Sequence, residues 1–446
     1  MPDSPLLNAL ATAFVGGEPA VERIVDRCAL TLGRRWRWLR PLARRYVDAM
    51  GGARPRHREA VQFLRDDVGF RRVRLKYSDE LRVARRLLAP AQMHPVGAAA
   101  AWKLPPIEST GELADWLALT PGELDWFADL KALGYKRRAP RLRHYRYRVL
   151  SKGYGAVRLI EAPKPRLKWI QQRILAGILD RIPPHPAAHG FVKGRSVKTF
   201  AAPHVGQRVV LRMDLRDFFP SIGGARIQTV FRTMGYPEPV ADLLGGISTN
   251  AAPRDVWSDP VECGEARAMY ARPHLPQGAP SSPALANMCL YRADCRLAGL
   301  AESTGARYTR YADDLAFSGG EDFDRRVERF AAHAAAILHE EGFAVHHRKT
   351  RIMRQSVRQH LAGVVANQRL NVRRVDFDLL KATLTNCARH GPASQNRDAH
   401  ADFRAHLEGR VSYVEWINPA KGKRLRAILE RIAWRTKPRR ATSTRI

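Results

Sequence analysis

The chain has 446 residues, with Lys and Arg numbering 76 against 43 Asp and Glu, and a formal net charge of +33. Solubility alone needs a net charge of only about 2–8 on a small domain, so the excess predicts a polyanionic partner, nucleic acid in the first instance. The length predicts two to three structural units; the odd, scattered Cys28, Cys263, Cys289, Cys295 and Cys387 argue against a disulfide framework or zinc knuckle, and the lack of a signal segment or a long apolar run predicts a soluble cytoplasmic protein with no membrane partner.

Residues 1 to about 95 read as helical and basic. Ala20–Val47 carries apolar residues at helical spacing, with Pro41 expected as a break. Within it, Arg34-Arg35-Trp36-Arg37-Trp38-Leu39-Arg40 has two readings. Arg and Trp together can hold phosphates and stack bases, or the stretch is an amphipathic helix with Trp in a core and Arg in water. An Ala- and Pro-rich break follows over Pro95–Pro106. Ser109-Thr110-Gly111-Glu112 reads as a capping box opening a helix over Leu113–Ala118, and Thr120-Pro121-Gly122-Glu123 as a second, with Pro at the first helical position. Alternation through Arg143–Val149, the turn Lys152-Gly153-Tyr154-Gly155 and the run Val157–Glu161 predict a basic hairpin. A helix is expected over Leu167–Leu179, before Pro183-Pro184. Val209–Leu215 alternates as a strand, which puts Asp214 on the face opposite Leu211 and Met213. A helix over Ser282–Ala298 precedes a hairpin of Ala306–Arg310 and Leu315–Ser318. Helix Phe323–Glu341 comes next, then strand-like Phe343–Val345 and Leu361–Ala366, then a helical C-terminal region ending in basic Arg435–Arg440.

The chemistry concentrates at Tyr311-Ala312-Asp313-Asp314, the tip of that hairpin. Adjacent carboxylates on a tight turn cannot separate to relieve their repulsion, so a cation must hold them or one must take a proton. For the tetrapeptide alone, a polar hairpin tip is the plainer reading. Asp214 supplies a third carboxylate at a strand end. One strand end and one hairpin tip brought together on a sheet is the set a metal-dependent nucleotidyl transferase needs, with two ions roughly 4 Å apart clamping the attacking and leaving oxygens. Between them, Leu275-Pro276-Gln277-Gly278-Ala279-Pro280-Ser281-Ser282-Pro283 leads into a helix. Gly278 permits close backbone approach and Gln277 can hydrogen-bond sugar or base; a Pro-rich turn capping a helix is the plainer reading.

Six segments, in this order, resemble the reverse transcriptases, and within them the bacterial retron-type enzymes. They are Arg158–Lys168, His189–Ser196, Met213–Ile222, Leu275–Pro283, Tyr308–Ser318 and Gly342–Thr350. The resemblance implies an α+β right-hand polymerase of fingers, palm and thumb behind a helical basic N-terminal extension. Its boundaries would be 1–105 for the extension, 106–355 for fingers and palm, and 356–446 for thumb and basic tail. It carries metal binding, as two Mg²⁺ ions, to Asp214, Asp313 and Asp314. It gives Gln277 the incoming nucleotide, Lys152 and Arg158 its triphosphate, and Phe219 the exclusion of a ribose 2′-hydroxyl. Lys349 would protonate the leaving pyrophosphate. Core packing is the alternative for Phe219 and a solvated charge for Lys349. His204 would help position the priming strand or serve as a structural histidine, and Arg34, Arg35, Arg37 and Arg40 would contact nucleic acid. Two segments depart from the retron pattern: Phe200-Ala201-Ala202-Pro203-His204 lacks the usual Asn, and Leu361-Ala362-Gly363 stands for Val-Thr-Gly.

The implied function is RNA-directed DNA synthesis with dNTPs, priming from a 2′-hydroxyl of a structured noncoding RNA that is also the template. The DNA product would stay joined to that RNA, in anti-phage defence with an effector or toxin protein. Untemplated or protein-primed synthesis by a related defence enzyme is the alternative. A non-catalytic RNA-binding protein on a polymerase scaffold would have little need of all three carboxylates. A group II intron protein would need maturase and DNA-binding regions for which too little chain remains after Arg358.

Overall fold

The computed structural model describes residues 5–50, 55–87, 92–136, 141, 143–151, 157–257 and 264–434. The turn at Lys152–Gly155 and the basic run Arg435–Arg440 lie outside the described residues. The chain forms two compact units, residues 1–183 with 219–289, and residues 184–218 with 290–446.

The first unit begins with α1 (Pro5–Val15), α2 (Val21–Leu32), α3 (Leu39–Met50), α4 (His57–Asp66) and α5 (Val68–Lys76). Their apolar faces close on Leu10, Phe14, Ile24, Leu42, Tyr46, Leu64 and Phe70, each such burial contributing roughly 1.5–3 kcal/mol. The break expected at Pro41 falls elsewhere. α2 ends at Gly33, whose φ of 76° makes it a left-handed cap. Pro41 lies in the first turn of α3, where its missing N–H has no partner to lose. Ser109 and Thr120 cap the next two helices as expected, accepting from the N–H groups of Glu112 and Glu123. Glu112, however, reaches back to the Glu108 N–H rather than to Ser109. Strands β1 (Tyr145–Ser151) and β2 (Val157–Pro163) pair antiparallel, with Tyr147 opposite Glu161.

In the second unit β3 (Val209–Asp214), β4 (Arg307–Tyr311), β5 (Asp314–Gly319) and β6 (Arg351–Arg354) form an antiparallel sheet in the order β4-β5-β3-β6. The helix Glu321–Glu340 covers it, with Phe330 edge-on to Phe317 at 4.9 Å. The single strand expected over Leu361–Ala366 is instead a hairpin, β7 (His360–Leu361) and β8 (Val364–Val365). Ala362 and Gly363, at φ 43° and 92°, make its two-residue turn, which Gly favours and a continuing strand forbids. Phe343–Val345 makes only an isolated bridge, Leu215 to Val345. Helices Arg374–His390, Phe403–Ile417 and Pro419–Leu429 bury Leu380, Leu384, Leu407, Val411 and Leu425.

Candidate active site

The central pair of the sheet brings the carboxylates together. Alternation along β3 points Val210 and Leu211 into apolar core on either face and leaves Asp214 at the strand end, directly opposite Asp314 on β5. Opposed residues in such a pair have Cβ atoms about 4.5–5.5 Å apart. Asp313 lies in the two-residue loop between Tyr311 and Asp314, which close β4 on β5. Its carbonyl accepts from the Leu215 N–H at 3.0 Å, which ties the loop to the end of β3. Burial, and next the charge of Asp214, raise the Asp313 carboxyl above its ordinary range. Burial also raises Asp314, against the opposing pull of Arg212.

Two cations meet these acids. Lys349 Nζ is 2.8 Å from Asp214 Oδ1, and Arg212 donates to Asp314 Oδ1 through Nε at 2.9 Å and Nη2 at 2.6 Å. Lys349, expected as a proton donor or a solvated charge, is paired here with Asp214. Arg212 was missed, although the period-2 alternation that placed Asp214 puts Arg212 on the same face.

The loop itself is over-determined. Ala312 holds φ 55° without glycine's freedom, a conformation that costs on the order of 1–2 kcal/mol. Arg310 secures it: fully buried, it pairs with Asp294 through Nε at 2.8 Å and Nη2 at 2.6 Å, and its Nη1 donates to the Ala312 carbonyl at 3.1 Å. Tyr308 adds a hydrogen bond to Asp294 at 2.7 Å. On the other side Gly190 touches the loop, and a Cβ there would meet the Ala312 nitrogen at 2.4 Å.

His204 does not reach a nucleic-acid surface. It is fully buried, with Nδ1 2.6 Å from Ser318 Oγ and Nε2 2.7 Å from Thr309 Oγ1. Thr309 donates its own proton to the Phe200 carbonyl, so it accepts from His204 Nε2–H, and Ser318 donates to Nδ1. That neutral tautomer agrees with the downward shift to about 3 that burial imposes. The structural alternative for His204 therefore holds.

The first unit carries the other expected contacts. Gln277, half-buried, accepts through its carbonyl from the Glu161 N–H of β2 at 2.9 Å. Gly278, at φ 136°, lies so close that a Cβ would meet the Glu161 carbonyl oxygen at 2.9 Å. The close approach expected of this glycine is thus to β2. Glu161 is buried, accepting from Asn250 at 2.7 Å and facing His274 Nε2 at 2.8 Å, while His274 Nδ1 faces the Arg272 carbonyl at 2.7 Å. This network holds the approach to Gln277, and nothing in local periodicity announced it. Arg158 lies on β2, three residues before Glu161, half-buried. Lys152 lies outside the described residues. Phe219 is half-buried, whereas its neighbour Phe218 is buried against Phe343.

The Arg34–Arg40 cluster is not a stacking surface. Trp36 is only 9% exposed and Trp38 packs against the helical core. Arg34 pairs with Glu80, Arg35 with Glu22 and Asp26, and Arg40 with Glu22. The tryptophans are core and three of the four arginines are already neutralised.

Among the described residues, no three His, Cys, Asp or Glu side chains converge as a ready-made metal cage. The donor set nevertheless fits a hard divalent cation, because Mg²⁺ takes oxygen ligands and is usually held by one or two carboxylates plus substrate phosphates and water. Burial, and next the charge of Asp214, raise Asp313, and such a cation offsets both.

Comparison with known proteins is decisive on family. The reverse transcriptase (RNA-dependent DNA polymerase) family matches residues 150–371. The retron Mx65 reverse transcriptase of Myxococcus xanthus is 44% identical over 314 residues, 70% of this chain and 68% of that protein. The chain belongs to the retron-type reverse transcriptases. The retron Mx162 enzyme of the same organism is 35% identical over 71% of this chain and 65% of its own length, and the retron Ec86 enzyme of Escherichia coli 30% over 63% and 79%. The protein is thus an RNA-directed DNA polymerase, of a family that uses divalent metal ions and has the right-hand polymerase fold. Among the described residues no helix is long and apolar enough to cross a membrane.

Proposed function

We propose that this reverse transcriptase copies a structured noncoding RNA into single-stranded DNA, starting from an RNA 2′-hydroxyl, so that product and RNA remain joined. The observation that carries this is the placement of Asp214 opposite Asp314, with Asp313 in the adjoining loop, in a chain so similar to retron enzymes. Residues 106–355 would be fingers and palm, 356–446 the thumb and basic tail, and 1–105 an extension. Asp214, Asp313 and Asp314 would hold two Mg²⁺ ions, which when bound supply positive charge at the attacking oxygen and at the leaving pyrophosphate. Lys349 and Arg212 then yield their carboxylates. Lys349, half exposed, is suited to give the pyrophosphate its proton. Gln277 would hydrogen-bond the incoming dNTP, and Arg158 and Lys152 would hold its triphosphate. The setting would be cytoplasmic anti-phage defence with an effector or toxin protein.

Phe219 would exclude ribonucleotides. Its half exposure beside buried Phe218 is compatible with part of the ring meeting a sugar. Purified protein with Mg²⁺ should extend a DNA primer on an RNA template using dNTPs, and Phe219→Ala should raise the ratio of ribo- to deoxyribonucleotide incorporation roughly 10-fold or more. No RNA-templated extension by the unaltered protein would refute the activity; an unmoved ratio would show that Phe219 merely packs.

A further inference from the structure

We infer that the outward face of α5 binds the phosphate backbone of an RNA helix, and that α5, not the Arg34–Arg40 cluster, is the nucleic-acid contact of the N-terminal region. The inference rests on the family's use of RNA but on no catalytic assignment.

The helix Val-Gly-Phe-Arg-Arg-Val-Arg-Leu-Lys contains no acidic residue. Its buried side is Phe70, with Val73 and Arg74 half-buried beside it. At about 100° per residue the opposite side carries Arg71, Arg72, Leu75 and Lys76, all exposed. Arg71 donates to the Asp66 carbonyl and Lys76 lies over the Tyr77 ring, but among the described residues no carboxylate pairs with Arg71, Arg72 or Lys76. Glu80, the acid just past the helix, is taken by Arg34. The contrast with Arg34, Arg35 and Arg40, each bonded to a carboxylate, is what separates the two clusters. A cation already paired inside the protein displaces few counterions on binding; an unpaired one displaces its full share.

Helix stabilisation does not account for the face. Arg74 and Lys76 sit in the last turn, where the helix dipole favours cations, but Arg71 and Arg72 lie ahead of it. The basic surface continues past the helix. Leu81 is buried, the backbone N–H groups of Ala84 and Arg85 bond to the Thr31 carbonyl, and Arg82, Arg85 and Arg86 stand exposed on this pinned segment. Neither α5 nor Arg82–Leu87 exposes an aromatic ring. Proteins that hold unpaired bases stack them on such rings, so this surface suits paired RNA, which is recognised through phosphates and shape.

The test uses the full-length protein and a hairpin RNA of about 16 base pairs, with affinity measured by fluorescence anisotropy between about 50 and 200 mM KCl. Replacing Arg71, Arg72 and Lys76 together by Gln should flatten the slope of log affinity against log salt by about two to three units, at up to about 0.9 per lost contact. Arg34→Gln with Arg35→Gln and Arg40→Gln should leave it unchanged, and so should Asp313→Asn, which separates this surface from the catalytic reading. A single-stranded RNA of equal length should lose less on the α5 substitutions than the hairpin. Thermal melting checks folding; if the triple variant melts early, Arg72→Gln and Lys76→Gln alone carry the test at about 0.9 each. An unchanged slope in folded α5 variants, an equal flattening in the Arg34 set, or a greater loss on the single strand would overturn the proposal.

Discussion

Asp313→Asn is expected to abolish all but a trace of primer extension while leaving RNA binding intact. Losing a residue that merely supports a metal ligand typically costs about 10–100-fold in metal affinity or activity, so losing a ligand itself should exceed that, by roughly 10³-fold or more. The substitution preserves shape and removes only charge. It also removes the repulsion with Asp214 that, after burial, holds the Asp313 carboxyl high, so the folded protein should be no less stable. Asp314→Asn should cost activity on the same scale with a different signature. Arg212, which bonds Asp314 through two nitrogens, loses its carboxylate, so this variant should also unfold at lower denaturant. Steady-state extension rates beside denaturant melts separate the two. Undiminished extension by both would remove these acids from the chemistry.

Asp294→Ala should destabilise the protein by about 3–5 kcal/mol, because it strands a buried guanidinium without its counter-charge. Arg310 and Asp294 are both wholly shielded from water, so no solvent screening softens the loss. Pairing it with Arg310→Met should recover most of the stability, since an apolar pair of similar volume is often neutral. The rate should not recover with it. Arg310 also holds the Ala312 carbonyl of the strained loop that carries Asp313, and methionine offers no donor there. Denaturant midpoints and extension rates for the single and double variants test both halves. A double variant restored in stability and in rate would show that the pair serves packing alone.

The elements that present the carboxylates were legible because they obey local rules. β3 alternates, the hairpin tip has its acids where the strands end, and the helices after Ser109, Thr120 and Lys164 begin at a capping oxygen or a proline in the first turn. Alternation also puts Arg212 on the face of Asp214, but its partner Asp314 lies on β5, about a hundred residues on. What local rules cannot carry is partnership across the chain. Arg310 finds Asp294 on a helix that ends before β4, and Glu161 finds His274 more than a hundred residues on. Both are buried polar groups whose presence inside makes sense only once the partner is known. The two readings of the Arg-Trp cluster stay open in the sequence for the same reason: its charge looks free until Glu22, Asp26 and Glu80 fold against it. The two departures from the retron pattern both fall in one apolar cluster. Phe200 packs in a core, edge-on to buried His204, and Leu361-Ala362-Gly363 turns a hairpin. Phe200 also packs against Tyr311 of the carboxylate hairpin, with ring centroids 5.8 Å apart.

The nucleic acid that co-purifies with the protein from its own host tests the central claim most directly. Extracted and digested separately with RNase and DNase, it should give a discrete DNA band that RNase shortens without destroying, because a branch joins the DNA to an RNA 2′-oxygen. The band should be missing when Asp313→Asn is expressed in its place. Heterogeneous DNA with no RNA linkage, or the same band from the Asp313→Asn protein, would contradict templated synthesis primed on a folded RNA.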